Sequence, residues 1–301
     1  MQGVDFCFIH AIIELMSKVE LFSEAVVKLS SPFIKWAGGK SSLVRQFNPY
    51  FPHSKSYKRY FEPFIGGGAV FFHLQPPESY LFDLNPQLIG VYEVVRDQVD
   101  DLIESLKEHK NEAEYFYQIR KLAPQSLNKV ESASRFIYLN KTCYNGLYRE
   151  NSSGGFNVPF GKYKNPKICD EDGLRSASRA LQRAHLQVGD FEQVQQYAQS
   201  GDLIYFDPPY DPLNKTLNFT SYTSKGFNGN DQRRLGSIFR ELNDRKCLLM
   251  LSNSDTPLIR EIYEDFNLFT INARRAINSN PNGRGEIVEL LITNFTNSSE
   301  I

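Results

Sequence analysis

Asp207-Pro208-Pro209-Tyr210 concentrates more potential chemistry than any other four residues of the chain. It closes the apolar run Leu203-Ile204-Tyr205-Phe206, which reads as a buried strand. The acid therefore stands at a strand's carboxyl end, where open α/β sheets place their ligands. Two successive prolines set φ and supply no N–H, leaving the Asp207 and Pro208 carbonyls as rigid acceptors. A carboxylate and a backbone carbonyl can each take one hydrogen of an exocyclic NH2, drawing the nitrogen lone pair out of conjugation and aiming it at an electrophile. Tyr210 would cover the flat face of the group so held. The work is positioning and electrostatics, because an aromatic amine is far too weak an acid for Asp207 to deprotonate in its ground state. A strand ending in a proline turn is the plain alternative, and the complete tetrapeptide behind an apolar strand favours chemistry.

Three upstream stretches fit around such a turn. Phe33-Ile34-Lys35-Trp36-Ala37-Gly38-Gly39-Lys40-Ser41 offers a lysine and an indole beside a flexible glycine pair, suited to holding a carboxylate and an adenine ring. Its Gly39-Lys40-Ser41 is no phosphate-binding loop, since that motif needs a glycine at position 34, which is Ile. Tyr60 to Phe72 reads as a short strand, the turn Gly66-Gly67-Gly68 and a helix start, with glycines that let the backbone approach a ligand and a helix N-terminus that favours negative charge. Tyr80-Leu81-Phe82-Asp83 reads as a second strand, ending in an acid at the spacing, about 20 residues, of a carboxylate that grips ribose hydroxyls. Nicotinamide dinucleotides use the same layout, which keeps an oxidoreductase open. The Gly-x-Gly-x-x-Gly spacing is absent, because the three glycines are contiguous and position 71 is Phe.

From Gln87 the period changes to that of a helix. Leu88, Val91, Tyr92, Val95, Val99, Leu102, Ile103 and Leu106 share one face, which predicts a long amphipathic helix. Ala133, Phe136 and Ile137, then Leu174, Ala177 and Leu181, predict more, so a helical insertion separates the second strand from the strand bearing Asp207. Within it, residues 135–167 carry six basic side chains (Arg135, Lys141, Arg149, Lys162, Lys164, Lys167) against Glu150 alone, interleaved with tyrosines, asparagines and glycines. Such a stretch suits DNA, with charges for phosphates and amides or guanidinium for base edges; a solvated charged loop is equally open on composition.

The remaining chain supplies scaffold. Leu235, Ile238, Phe239 and Leu242 predict a helix, Cys247–Leu251 a buried strand, Thr256–Phe266 a helix, and Leu268–Arg274 and Ile287–Thr293 terminal strands. Asn218–Thr223 reads as a loop over the site, and Asn278–Gly285, with Arg274, Arg275 and Arg284, as a phosphate contact or a plain hairpin connection. The chain has 301 residues, 41% hydrophobic, enough for one large α/β domain or two smaller ones. A net charge of -1 confines any nucleic-acid contact to a local patch. Cys7, Cys143, Cys169 and Cys247 show neither Cys-x-x-Cys pairing nor metal-ligand spacing, so a reduced, cytoplasmic protein without bound metal is expected. Phe6–Ile13 is apolar, but Asp5 precedes it and Glu14 closes it, which fits neither a signal peptide nor a membrane span.

Taken together, Lys-Trp-Ala-Gly-Gly-Lys, Glu-Pro-Phe-Ile-Gly-Gly-Gly, Phe-Asp-Leu-Asn-Pro, Tyr-Asn-Gly-Leu-Tyr-Arg, Phe-Asn-Val-Pro-Phe-Gly and Asp-Pro-Pro-Tyr, in that order, resemble the Dam family of DNA adenine-N6 methyltransferases. The resemblance runs from about Phe33 to Phe295. It implies an α/β, Rossmann-like S-adenosylmethionine-dependent methyltransferase fold with a mostly helical target-recognition insertion. The expected layout is an extension at 1–30, a catalytic domain in two parts at 31–86 and 173–297, a target-recognition domain at 87–172 and a tail at 298–301. It further implies S-adenosyl-L-methionine as donor and S-adenosyl-L-homocysteine as product, with donor contacts at Trp36, Lys40, Glu62, Phe64, Gly66, Asp83 and Asp207. Asp207, Pro208, Pro209 and Tyr210 would engage an adenine flipped from double-stranded DNA. By similarity to the GATC-specific branch, Arg149 reads one outer guanine and Lys35 the other, Leu147 and Pro159 contact the central pairs, Tyr144 inserts beside the extruded base, and Asn145 and Lys162 join the DNA contacts. The enzyme is expected to act as a monomer, away from membranes. The tetrapeptide chemistry is shared with methylation of cytosine N4, RNA adenine and protein glutamine, which remain alternatives, as does a noncatalytic DNA-binding protein.

Overall fold

The computed structural model describes residues 30–151, 154–212, 227–274 and 286–296. The expectations for Phe6–Ile13, Asn218–Thr223, the loop 275–285 and the tail lie outside those residues.

Seven strands form one sheet: β1 (Tyr60–Glu62), β2 (Ser79–Asp83), β3 (Ala184–Val188), β4 (Leu203–Phe206), β5 (Leu248–Ser254), β6 (Asn267–Arg274) and β7 (Glu286–Thr293), in the order β3-β2-β1-β4-β5-β7-β6. The first five run parallel, and β7 lies antiparallel between β5 and β6. The chain moves outward from β1 to β3 on one side and from β4 to β6 on the other, so the order reverses between β1 and β4. A crevice opens at the carboxyl ends of strands where that reversal occurs. Glu62, Asp83 and Asp207 stand at the carboxyl ends of β1, β2 and β4.

Period-2 alternation divides the strand side chains between two cores. Tyr60, Leu81, Leu203, Tyr205 and Met250 face one layer with Leu88, Val91, Tyr92 and Val95 of α2 (Pro86–Asp97) and Leu174, Ala177 and Leu181 of α6 (Glu171–Leu181). Phe61, Phe82, Ile204, Phe206, Leu249 and Leu251 face the other, against Leu235, Ile238, Phe239 and Leu242 of α8 (Gly229–Asp244) and Ile259 and Ile262 of α9 (Pro257–Ile262). All four residues of β4 are buried, as a central parallel strand requires. A third cluster, Phe116, Tyr138, Leu139, Cys143, Phe156 and Val158, contains no strand of the sheet. It joins α4 (Ala113–Lys121) to α5 (Lys129–Thr142) and the chain that follows. α5 sits between layers, with Ala133, Phe136 and Ile137 on the main core and Tyr138 and Leu139 on the small one. Its start is a capping box, Asn128 with Glu131.

Four expectations need correction. The long helix after Gln87 is two, α2 and α3 (Val99–Lys107), broken where Gln98 takes φ -138° and ψ 41°; the apolar face continues across the break because both pieces pack on one core. The insertion does not run from the second strand straight to β4: β3 intervenes, an edge strand whose Ala-His-Leu-Gln-Val composition hides it among polar residues. The predicted helix over 256–266 is only α9, capped by the Thr256 hydroxyl, which accepts from the Ile259 N–H. β5 extends three polar residues beyond Leu251, and those residues reach the site.

Candidate active site

Asp207 follows β4 directly and is 19% exposed. The Lys40 Nζ sits 2.6 Å from its Oδ1 and also donates to the Gly38 carbonyl at 2.8 Å. Lys40, 4% exposed, lies 4.6 Å from the Tyr210 ring centroid. The Ser252 hydroxyl donates to the same Oδ1 at 3.0 Å and pairs at 2.8 Å with the Tyr205 hydroxyl. Both bonds fall on one carboxylate oxygen, and among the described residues none donates to Oδ2 or to the Pro208 carbonyl. Burial pushes the Asp207 carboxyl above the ordinary aspartate range, while Lys40 and Ser252 pull it back toward the anion.

The turn itself is pinned from behind. Gln232 of α8, buried, donates through Nε2 to the Pro209 carbonyl at 3.0 Å and accepts at 3.0 Å from the Asn253 Nδ2. The Asn253 Oδ1 accepts from the Asp211 N–H at 3.2 Å, and the Ser254 hydroxyl donates to the Asp211 carbonyl at 2.6 Å. Tyr210 donates its hydroxyl to the Glu289 Oε2 of β7 at 2.6 Å, which fixes the ring on the Lys40 side. Each buried polar group of this set has a partner, the condition under which such a network rigidifies a site.

On the β1–β2 side, the Asp83 Oδ2 accepts from the Gly66 N–H at 3.1 Å and its Oδ1 from the Asn85 N–H at 2.9 Å. Burial pushes its carboxyl up to about 6, against the pull of those N–H groups. Gly66 has φ +45°, and a Cβ there would stand 2.7 Å from the Trp36 Cδ1, so only glycine lets the turn pass beneath the indole. Phe64 stacks on Phe191, 5.3 Å between centroids. Glu62 is enclosed, 2% exposed, and its Oε2 accepts from the Tyr60 hydroxyl at 2.7 Å and from the Phe71 N–H at 3.1 Å in α1 (Ala69–Leu74). Burial holds its carboxyl well above the usual range. Through Oε2 it braces the glycine turn from inside.

The segment after α5 folds back on itself. The Tyr144 N–H donates to the Pro159 carbonyl at 2.8 Å, the Gly161 N–H to the Thr142 carbonyl at 2.8 Å and the Asn157 N–H to the Arg149 carbonyl at 3.0 Å. Tyr144 (54% exposed), Arg149, Pro159 and Lys162 are exposed there, with Asn145 and Leu147 half-buried. The Arg149 Nε is held at 2.6 Å by the Asn157 Oδ1. Asn140, fully buried on α5, accepts from the Lys35 N–H at 2.8 Å and donates to the carbonyls of Lys35 at 2.7 Å and Gly146 at 3.1 Å. Gly146 has φ +63°, and a Cβ on it would meet the Lys35 side chain at 2.3 Å. The Lys35 ammonium then lies 4.3 Å from the Tyr163 ring centroid.

One member of the basic stretch is not at its surface. Arg135 is 5% exposed and donates to the carbonyls of Ile119 and Arg120 at the end of α4, where it serves as a helix cap. Lys141 is half-buried, and burial together with the neighbouring Lys35 charge brings its ammonium down to about 8. Ser252, Asn253, Gln232, Glu289, Asn140 and Tyr148 were not singled out in the sequence. The polar Ser252-Asn253-Ser254 following four apolar strand residues, and Asn140 after Phe136–Leu139, are the local signals that point to them.

A family model for D12 class N6 adenine-specific DNA methyltransferases matches residues 36–277. The chain is 43% identical over 274 residues to the type II methyltransferase M1.LlaDCHI of Lactococcus lactis subsp. cremoris, covering 88% of this chain and 96% of that one. It is 43% identical over 285 residues to the type II methyltransferase M.MjaIII of Methanocaldococcus jannaschii (88% and 99% covered), and 35% identical over 269 residues to the DNA adenine methylase of Escherichia coli strain K12 (88% and 95%). With that match spanning the crevice, the recognition segment and Asp207, this chain belongs to the D12 class of N6 adenine-specific DNA methyltransferases and is an adenine-specific DNA methyltransferase.

Proposed function

We propose that the enzyme, as a monomer, methylates the adenine of GATC in double-stranded DNA with S-adenosyl-L-methionine as donor. The observation that carries the reading is the one-sided carboxylate: Lys40 and Ser252 both occupy the Asp207 Oδ1, and among the described residues none donates to Oδ2 or to the Pro208 carbonyl, the two acceptors that would receive the hydrogens of an amine. The crevice residues fit a donor of this kind. Asp83 retains acceptor capacity for ribose hydroxyls, the Gly66 turn offers close backbone approach, and Trp36 and Phe64 present rings to an adenine. Lys40 has a third N–H for the donor's carboxylate after its bonds to Asp207 and Gly38. Bound there, S-adenosyl-L-methionine supplies an electrophilic methyl carbon on a sulfonium and leaves as S-adenosyl-L-homocysteine.

The chain's own contribution is orientation and charge. The adenine is extruded at a cost of a few kcal/mol for unstacking, and Tyr144 fills the space it leaves. Asp207 and the Pro208 carbonyl hold N6 so that its lone pair points out of the ring plane, and Tyr210, fixed by Glu289, covers the base. The positive charge that develops on N6 is stabilised by the Asp207 anion, and the surplus proton departs to solvent or through Asp207. Arg149 is tethered by Asn157 through Nε, and among the described residues none takes its terminal nitrogens, which suit a two-bond contact with guanine. Lys35 reads the other outer guanine, with Leu147 and Pro159 on the central pairs and Asn145 and Lys162 on the backbone. The test is digestion of DNA from expressing and non-expressing cells with methylation-sensitive GATC nucleases. Protection at GATC is expected; sensitive GATC sites in DNA that has nonetheless taken up labelled methyl groups would refute the sequence assignment.

A further inference from the structure

Tyr148 stands between Leu147 and Arg149, two of the proposed base readers, yet its ring turns to the opposite side. It stacks on Trp36 with centroids 5.7 Å apart and planes at 23°, and on Phe136 at 4.8 Å and 26°. The same indole covers Gly66 of the glycine turn. The Tyr148 hydroxyl donates to the Glu150 carboxylate, and Asn85, two positions after Asp83, caps α2 by accepting from the Gln87 N–H at 3.0 Å. The Gln87 Nε2 donates to the Glu150 Oε1 at 2.8 Å. Residues 148 and 150 are therefore attached to the wall of the donor crevice, and the residue between them, Arg149, is exposed on the recognition side, the alternation of an extended segment.

We propose that Tyr148 is a positioning residue that ties base readout by Arg149 to donor occupancy beside Trp36. The inference rests on the donor site proposed above. A donor packed against the indole and gripped by Asp83 restricts Trp36, on which the Tyr148 ring leans, and the start of α2, to which Glu150 is tied through Gln87; the orientation of Arg149 is then partly set before DNA arrives. Each ligand binds a protein that the other has already ordered, so each tightens the other, by one and the same factor.

Trp36 is the chain's single tryptophan, so intrinsic tryptophan fluorescence reports on this stack alone. The experiment measures the dissociation constant of S-adenosyl-L-homocysteine by that signal and by equilibrium dialysis, with and without a saturating GATC duplex. The native protein should show tightening by about tenfold. In Tyr148→Leu the factor should fall to about twofold or less, whatever happens to the two separate affinities, since a uniform structural loss cancels in the ratio. The Tyr148→Phe/Glu150→Leu double variant retains every ring contact and removes the polar tie to Gln87; it should lower the factor by about threefold and guards against a folding defect in the leucine variant. A native-like factor in either folded variant, or a native factor of one, overturns the proposal. Failure of the native protein to bind the donor product at all would instead remove the donor-site reading beneath it.

Discussion

The turn after β4 and the turn after α5 are both anchored by buried amides, but the amides act on different things. Behind Asp207, Gln232 and Asn253 bond to each other and to the main chain on both sides of Tyr210, while Ser252 and Lys40 hold the carboxylate itself. In the recognition turn, Asn140 grips only main-chain groups of Lys35 and Gly146, and Tyr144, Arg149 and Lys162 are left exposed. The first arrangement fixes a reacting group before substrate arrives, which is how preorganised electrostatics lowers a barrier. The second fixes a backbone frame and leaves Tyr144, Arg149 and Lys162 exposed for the duplex contact proposed above. Both turns are thus held by the same residue type, asparagine or glutamine bonded to the main chain.

If that division is right, damage on the catalytic side should show in turnover and damage on the recognition side in selectivity. The largest effect is expected for Asp207→Ala, a loss of methyl transfer of about a thousandfold or more, read as single-turnover rate, with S-adenosyl-L-homocysteine binding within a few-fold of native. Lys40 loses its partner in that variant, so thermal unfolding should be followed alongside; near-native turnover would take Asp207 out of the mechanism. Arg149→Ala should lower discrimination against a substituted outer base by roughly 1–3 kcal/mol while leaving unfolding stability within about 0.5 kcal/mol. Unchanged base selectivity would place the readout elsewhere.

Gln232→Leu and Asn140→Ala each strand buried polar partners, and each should cost about 1–3 kcal/mol in denaturant unfolding. The comparison becomes sharper if they then part company, with Gln232→Leu lowering turnover on GATC and Asn140→Ala lowering base discrimination. Parallel losses in both quantities would mean that the two turns behave as one unit. The smallest effect concerns pH. Asp207 acts as an anion and burial raises its pKa above the ordinary value of about 3.9, so activity should fall as pH drops through that raised pKa. Lys40 opposes the rise, and its loss in Lys40→Met should move the acid limb of kcat/KM to higher pH. An acid limb that stays in place would show that another group titrates there.

Much of the site was legible because it is built of contiguous residues. Asp207 to Tyr210, the Gly66 turn and Asp83 are each a strand followed by its own terminus, and an apolar run followed by an acid announces itself in one dimension. Legibility failed where a residue acts from a different strand or helix. Ser252 and Gln232 reach Asp207 and Pro209 only because β5 lies beside β4 and α8 packs over it. Arg135 was misread for the converse reason: composition assigns a guanidinium to the surface, and only the end of α4 beside it shows a buried cap. That the Tyr60 hydroxyl and the Phe71 N–H hold the Glu62 Oε2 could likewise not be read along the chain.

Read alone, the order of residues was enough to establish the class of chemistry, since the acceptors, the aromatic cover and the glycine turn are local geometries dictated by proline, glycine and strand ends. Which oxygen of Asp207 Lys40 and Ser252 occupy, and that the Tyr148 ring stacks on Trp36, were settled by packing between elements far apart along the chain. Hydrogen bonds and ring stacks have angstrom-scale reach, and only the folded sheet and its helices bring such partners within it.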